Sequence, residues 1–107
     1  MNDAAPMRTL QLRTYQLEPA LADAFVAWWS ATMPALRKRF GFTIPFAYLD
    51  EQGGLFVWGL ELAGDRQAFL AAEQAYNESP ERKQLKLPDP AMVKSVSAGF
   101  ARVATPC

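Results

Sequence analysis

The sequence has 107 residues and a mass of 11.9 kDa; half of the residues are hydrophobic, and eleven basic side chains balance eleven acidic ones. This length predicts one domain with a packed core, and zero net charge argues against a nucleic acid or an anionic membrane as partner. The chain contains no histidine, which excludes Ser-His-Asp and Cys-His catalysis and removes the commonest metal ligand and the proximal haem ligand. We therefore expect neither a metal nor a cofactor.

The cellular location is predicted from features that the sequence lacks. The one cysteine, Cys107, cannot form an internal disulfide, which fits a reducing compartment. Residues 1–7 have no basic and apolar signal-peptide pattern, and no apolar run is long enough to cross a bilayer. We expect a cytoplasmic protein.

The first half of the chain predicts a strand followed by a long helix. Residues 9–17 alternate apolar and polar side chains, which is typical of a strand. From Ala20 the positions Leu21, Phe25, Trp28, Thr32, Leu36 and Phe40 recur every three or four residues, which predicts a helix that carries them on one face and that Gly41 ends. Pro34 lies inside this helix, so we expect a kink or break near residues 30–33.

Two apolar runs then predict a hairpin. Residues 42–49 and 55–62 are joined by a loop that contains paired glycines. Pro45 cannot donate a backbone hydrogen bond, so the first of these strands should lie at a sheet edge or carry a bulge.

The remaining segment predicts two helices and a last strand. A helix opens at Gly64-Asp65 and buries Phe69, Ala72 and Tyr76. Ser79-Pro80 is typical of the start of a short helix, which should reach about Leu85. Residues 93–104 are rich in small and β-branched side chains, and Gly99 predicts a bend or bulge there.

The order β-α-β-β-α-β predicts an α+β, ferredoxin-like fold with an antiparallel sheet and both helices on one face. We expect a flexible lead over residues 1–8, a single domain over 9–104 and a tail over 105–107. The strand at 55–62 carries apolar side chains on both of its faces. Since the helices cover only one face, a second copy of the sheet is the simplest cover for the other, which predicts a homodimer.

Four segments stand out by their order and spacing: Leu12-Arg13-Thr14-Tyr15, the pair Trp28-Trp29, the stretch from Pro34 to Gly41, and the later segment VWGLELAGDRQAFLAA. Together they resemble the NIPSNAP family of the dimeric α/β-barrel superfamily. The similarity covers about residues 10–85. The resemblance implies a ferredoxin-like protomer that pairs through its sheet into a barrel. It indicates the fold more specifically than it indicates an activity. The superfamily also contains cofactor-independent monooxygenases, while its haem-handling members differ from this chain because the chain has no histidine.

Arg13 and Tyr15 fall on the same face of the first strand, where a cation and a phenol should point into a largely buried space. A buried guanidinium needs an acceptor. Glu61, on the neighbouring predicted strand, could supply it as an ion pair, which is the favoured alternative, or a ligand carboxylate or enolate could do so. Arg102 competes with Arg13 for either role.

Aromatic side chains and a methionine are candidates to line an apolar cavity, although core and dimer contacts are their commoner role. Adjacent Trp28 and Trp29 lie about 100° apart on a helix, so only one can face the sheet. The predicted ligand-binding set is Arg13, Tyr15, Trp29, Met33, Tyr48 and Trp58.

The other charged residues predict solvated surface. Arg37-Lys38-Arg39 and Glu81-Arg82-Lys83 are typical of exposed helix ends, and the acids, Glu73 among them, lack the clustering of a metal site.

Three functions remain open from the sequence. The leading hypothesis is a NIPSNAP-like homodimer that binds a small apolar or aromatic ligand, with catalysis unproven. The alternatives are a cofactor-independent monooxygenase or isomerase acting on an enolisable ring substrate, and a purely structural self-association module.

Overall fold

The structure is a computed structural model that describes residues 7–102, and its α+β order is the one that the sequence predicts. The elements are β1 (Arg8–Leu17), α1 (Ala22–Lys38), β2 (Phe42–Thr43), β3 (Ala47–Leu49), β4 (Leu55–Ala63), α2 (Arg66–Glu78), α3 (Pro80–Lys83) and β5 (Val93–Ala101), with 3₁₀ turns at Pro19–Leu21 and Pro90–Met92. Of the predicted lead over residues 1–8, Met7 and Arg8 are described, and Arg8 already belongs to β1. The predicted tail, with Cys107, lies outside the described residues, as do the last two positions of the predicted final strand. The single domain over residues 9–104 stays a prediction.

The sheet has β1 at its centre, with antiparallel pairing to β4 on one side and to β5 on the other. β2 and β3 both pair with β4 and complete the sheet. Trp29 of α1 packs against Trp58 of β4, and Phe69 of α2 packs against Phe100 of β5. Both helices therefore lie on one face, and the predicted ferredoxin-like arrangement is confirmed.

Pro45 divides the second predicted strand, which forms two short pieces at the edge of the sheet rather than one run over residues 42–49. The expectation of an edge position is confirmed, because β2 and β3 pair on one side only, with β4. The backbone carbonyl of Phe46 accepts a hydrogen bond from the Gly59 amide at 3.0 Å, which keeps the interrupted segment attached to β4.

Helix α1 continues through Pro34, so the predicted break near residues 30–33 is wrong. Pro34 and Ser30 are both exposed, so water can bond the Ser30 carbonyl that loses its partner. The Thr32 hydroxyl donates to the Trp28 carbonyl at 2.8 Å, one turn earlier in the same helix. A proline on the solvent-exposed side of a well-packed helix thus removes one backbone hydrogen bond without ending the helix.

The buried stripe of α1 runs through Phe25, Trp29 and Met33, so the predicted face through Trp28 and Thr32 is wrong by one position, because it is Trp29 that packs on Trp58 of the sheet. Trp28 is only half-buried, which confirms that the two adjacent tryptophans cannot both face the sheet. Gly41 has a φ of 91°, a conformation that glycine adopts without strain, and it turns the chain from the end of α1 towards β2.

Strand β5 keeps a regular register at Gly99, which pairs with Leu12, so the predicted bulge at Gly99 is wrong. The irregularity lies instead opposite Gln16 and Leu17, near the start of β5. The helices that follow β4 begin as predicted: the Asp65 side chain accepts from the Ala68 amide at 2.8 Å, and Ser79 accepts from the Arg82 amide at 3.1 Å.

The helix-facing side chains of β4, which are Phe56, Trp58, Leu60 and Leu62, are all buried and form the centre of the core. On the opposite face of the sheet, Leu55 and Val57 are half-buried and Leu12 of β1 is 40% exposed. Here a Cβ added to Gly59 would lie 2.8 Å from the ring of Phe46, so glycine lets that ring cover the strand. We call this side of the sheet, which faces away from the helices, the open face.

Among residues 7–102 no helix is long and apolar enough to span a membrane. The cytoplasmic location stays a prediction.

Candidate functional site

A cavity of about 310 Å³ lies on the helix side of the sheet. Its walls come from β1, β4 and β5, from the inner face of α1, and from α2, α3 and the segment that follows them. Five of the six residues predicted for a ligand site line it: Arg13, Tyr15, Trp29, Met33 and Trp58. Strand alternation brings Arg13 and Tyr15 there, because both point from β1 towards the helices.

Tyr48, the sixth predicted residue, does not line this cavity. It pairs with Val57 across β3 and β4, which places its side chain on the open face, and it is 70% exposed. Its ring stacks beside that of Phe46, with centroids 6.2 Å apart. Successive side chains of a strand point to opposite faces, so the position of Tyr48 in β3 places its ring on the side of the sheet away from the cavity.

The polar floor of the cavity is a carboxylate held between two guanidinium groups. Glu73 of α2 accepts a hydrogen bond of 2.6 Å from Arg13 Nη2 on one oxygen and a hydrogen bond from Arg37 Nη1 on the other. Arg13 Nε also donates to the Gln11 side chain at 2.8 Å. The three charged residues come from β1, α1 and α2, so the ion pairs join the sheet to both long helices.

The favoured pairing of Arg13 with Glu61 is wrong. Glu61 points to the open face, opposite Leu10, and pairs there with Arg8 at 2.8 Å. Arg13 points to the helix side, where α2 supplies its acid. Arg102 lies beyond the end of β5 and is exposed.

Arg37 is the residue whose position the sequence analysis missed most clearly. It is only 3% exposed, although its run of three basic residues predicted a solvated helix end. Its guanidinium carbon lies 3.6 Å from the centroid of the Tyr76 ring and 5.3 Å from that of Phe42. Spacing could have found it, because residue 37 falls four positions after Met33 on the buried stripe of α1.

Burial shifts the pKa values of two groups in the floor of the cavity, Arg37 and Tyr76. It lowers the pKa of Arg37, an effect that the hydrogen bond and charge of Glu73 oppose. It raises the pKa of Tyr76, whose hydroxyl lies 3.7 Å from the Met33 sulfur. Tyr76 therefore stays a neutral phenol at physiological pH.

Three buried N–H groups of cavity-lining residues have no hydrogen-bond partner in the structure. They are Trp29 Nε1, Trp58 Nε1 and Arg37 Nε. The two indoles pack edge to face, with ring centroids 5.2 Å apart, and the Arg13 guanidinium lies 5.3 Å from the Trp58 ring centroid. The interior of the site is thus rich in donors and aromatic faces.

The outer wall of the cavity is the irregular segment between α3 and β5. Leu85, Leu87 and Pro88 line the cavity from this segment, and Trp28 Nε1 fastens it to α1 by donating to the Lys86 carbonyl at 2.8 Å. Arg82 of α3 also lines the cavity. The sequence had predicted Arg82 only as surface charge.

Within residues 7–102 no group of three or more His, Cys, Asp or Glu side chains is arranged to hold a metal ion. Glu73 is the only carboxylate that lines the cavity among these residues, and both of its oxygens are already paired with arginines.

Comparison with known proteins was made by sequence and by structure. No family model and no curated protein matches the sequence. A NIPSNAP domain protein from Burkholderia xenovorans matches the structure with a TM-score of 0.77 and 13% identity, over 94% of this chain and 98% of that one. A NIPSNAP family protein of unknown function from Agrobacterium tumefaciens matches with a TM-score of 0.77 and 10% identity, over 94% of this chain and 92% of that one.

The chain has the NIPSNAP fold. The resemblance drawn from its sequence is therefore confirmed at the level of the fold. A candidate antibiotic biosynthesis monooxygenase from Bacteroides thetaiotaomicron shares this architecture with a TM-score of 0.68 and 16% identity, over 92% of this chain and 91% of that one. The same fold is thus found in a protein named as an antibiotic biosynthesis monooxygenase.

We predict that Glu73→Gln destabilises the protein by about 3–5 kcal/mol, because it leaves the buried Arg37 charge without a counter-ion. Urea unfolding measures the loss. The control is Glu61→Gln, which removes a carboxylate from the more exposed pair with Arg8 and should cost about 1 kcal/mol or less. Equal losses in the two variants would contradict a structural role for the Glu73 bridge.

Proposed function

We propose that the protein binds a small apolar or aromatic molecule in the cavity between its sheet and helices. The observation that carries this proposal is the cavity itself, which brings together Arg13, Tyr15 and Trp58 from the sheet with Trp29 and Met33 from α1. Ligand sites typically occupy about 300–1,000 Å³ and combine apolar walls with a few polar groups. A volume of about 310 Å³ favours a small molecule, of one or two rings.

The aromatic lining supports recognition of a flat ligand. The Tyr15 ring lies 6.1 Å from that of Trp58 and 5.9 Å from that of Phe25, both in edge-to-face contact. Such side chains offer large apolar surfaces with little conformational freedom to lose. A flat ring would bind among them by the same offset and edge-to-face contacts.

We also propose that the working unit is a homodimer formed through the open face. Leu12 and Val57 leave apolar surface on the side of the sheet away from the helices. Phe46 and Tyr48 extend this surface at the β3 edge. Exposed apolar side chains gathered on one side of a small protein are the kind of surface that a second copy covers.

A catalytic role is the second candidate, supported by the candidate monooxygenase with the same architecture. Arg13 would stabilise the developing enolate of an enolisable ring substrate and Tyr15 would hydrogen-bond it. The substrate proton would pass to solvent water, and the ionised ring would add molecular oxygen at a ring carbon that bears hydrogen. The hydroperoxide formed there would lose water to leave a ring carbonyl, so the ring itself supplies the electrons that reduce oxygen and no cofactor is needed.

We predict that some members of a panel of small aromatic compounds raise the melting temperature of the wild-type protein in a concentration-dependent way. Val96→Trp should abolish these shifts, because Val96 is exposed at the cavity wall and a larger ring there fills the space. Leu70→Trp, on the exposed side of α2 and away from the cavity, should keep them. Absence of any shift, with an intact dimer, would favour the purely structural self-association module.

We predict that Leu12→Asp converts a dimer into a monomer, because it places a charge in the centre of the open face. Sedimentation velocity measures the change, and Leu70→Asp on α2 is the matched control that should stay dimeric. A wild-type protein that sediments as a particle of 11.9 kDa would overturn the homodimer.

The catalytic candidate predicts oxygen consumption with hydroquinones or related enolisable ring compounds, and a large loss of rate in Arg13→Ala. An oxygen electrode measures both proteins, with folding of the variant checked by circular dichroism. If neither protein consumes oxygen above the rate of the compounds alone, this candidate is rejected.

A further inference from the structure

The charges around the cavity are unbalanced, although the chain as a whole is neutral. Three arginines, Arg13, Arg37 and Arg82, line the cavity, and Glu73 is the only acid among its described lining residues. The cavity wall therefore carries a net charge of two positive units in a chain whose net charge is zero.

The single carboxylate does not use up the donors of these arginines. Glu73 accepts from Nη2 of Arg13 and from Nη1 of Arg37. Among residues 7–102 no group accepts a hydrogen bond from Arg37 Nε, and Arg37 is only 3% exposed. A buried guanidinium with unmet donors is an electrostatic cost that an additional oxygen acceptor would relieve.

Arg82 adds a cation whose side chain is not committed elsewhere. No carboxylate of residues 7–102 pairs with its guanidinium, and its backbone amide, not its side chain, makes the helix-capping bond to Ser79. It is half-buried at the cavity wall. Its charge is therefore available to a molecule that enters.

We infer that the ligand of this cavity is an organic anion, namely a small aromatic ring that carries a carboxylate. The inference rests on the proposed binding function and names the chemical class of its ligand. The aromatic walls take the ring, while a planar carboxylate matches the planar fork of a guanidinium. A ligand cation would meet the excess positive charge and find both oxygens of Glu73 already occupied.

Arg82 is the position at which this inference can be tested without disturbing the fold. Substitution of Arg13 or Arg37 would break the bridge to Glu73, whereas the Arg82 side chain makes no ion pair with a described residue. Arg82→Gln removes the charge and keeps a polar side chain, and Arg82→Lys restores the charge without the fork. Lys83→Gln, on the next residue of α3 and outside the cavity, removes an equal charge as the control.

The experiment compares molecules that share a ring but differ in charge: benzoate and naphthoate as anions, benzamide and naphthamide as neutral isosteres, and benzylamine as a cation. Isothermal titration calorimetry gives each affinity. We expect the better-bound acid to bind the wild-type protein at least about tenfold more tightly than its amide, the step that one charge-assisted hydrogen bond supplies. Arg82→Gln should largely remove this preference, Arg82→Lys should keep part of it, and Lys83→Gln should leave it unchanged.

The outcomes separate this inference from the function on which it rests. If amides or benzylamine bind as tightly as the acids, the anionic class is overturned while the aromatic-binding function stands. If no ring compound binds, the proposed function fails, and the inference fails with it. If acetate alone binds as tightly as benzoate, the site takes an anion without a ring, and the inference of an aromatic acid is wrong.

Discussion

The carboxylate of Glu73 is the point at which three separate elements of the protein meet. Its oxygens pair with Arg13 from the central strand and Arg37 from the first long helix, while Glu73 itself lies on the second. Burial makes each of these charges costly unless all three are present, so the bridge constrains how both helices sit on the sheet. Beside this bridge the Arg13 guanidinium lies over the Trp58 ring and the Arg37 guanidinium over the Tyr76 ring, and together these groups form the floor of the cavity.

Much of the fold follows from local sequence patterns. Alternation along β1 and the apolar run of β4 predict these two strands nearly to the residue, and Gly64-Asp65 and Ser79-Pro80 predict where α2 and α3 begin, although α3 ends at Lys83 rather than near Leu85. Two details of α1 do not follow. Periodicity places Trp28 on the buried stripe, but Trp29 is equally apolar, and only contact with the sheet decides that Trp29 is the one buried. The break expected at Pro34 is absent because its effect depends on which side of the helix meets water.

The residues that the first strand and the first helix contribute to the candidate site could be predicted, but the acid that pairs with Arg13 could not. Strand parity and helical spacing bring Arg13, Tyr15 and Trp29 to one cavity, and those rules act over a few residues. The partner of Arg13 lies 60 residues away, on α2, and depends on how that helix is rotated over the sheet. Nothing local distinguishes Glu73 from the exposed acids. Strand order also made a pair between Arg13 and Glu61 plausible. This pair does not form, because the two side chains lie on opposite faces of the sheet.

The interrupted edge of the sheet restricts how this protein can associate with other chains. Pro45 and the short lengths of β2 and β3 leave little continuous backbone on that side for an incoming strand to pair with. The opposite edge is β5, a single strand over Val93–Ala101 whose one register shift lies near its start. Fibre growth by strand addition is therefore disfavoured at the edge formed by β2 and β3. Aggregation of this kind would have to begin at β5.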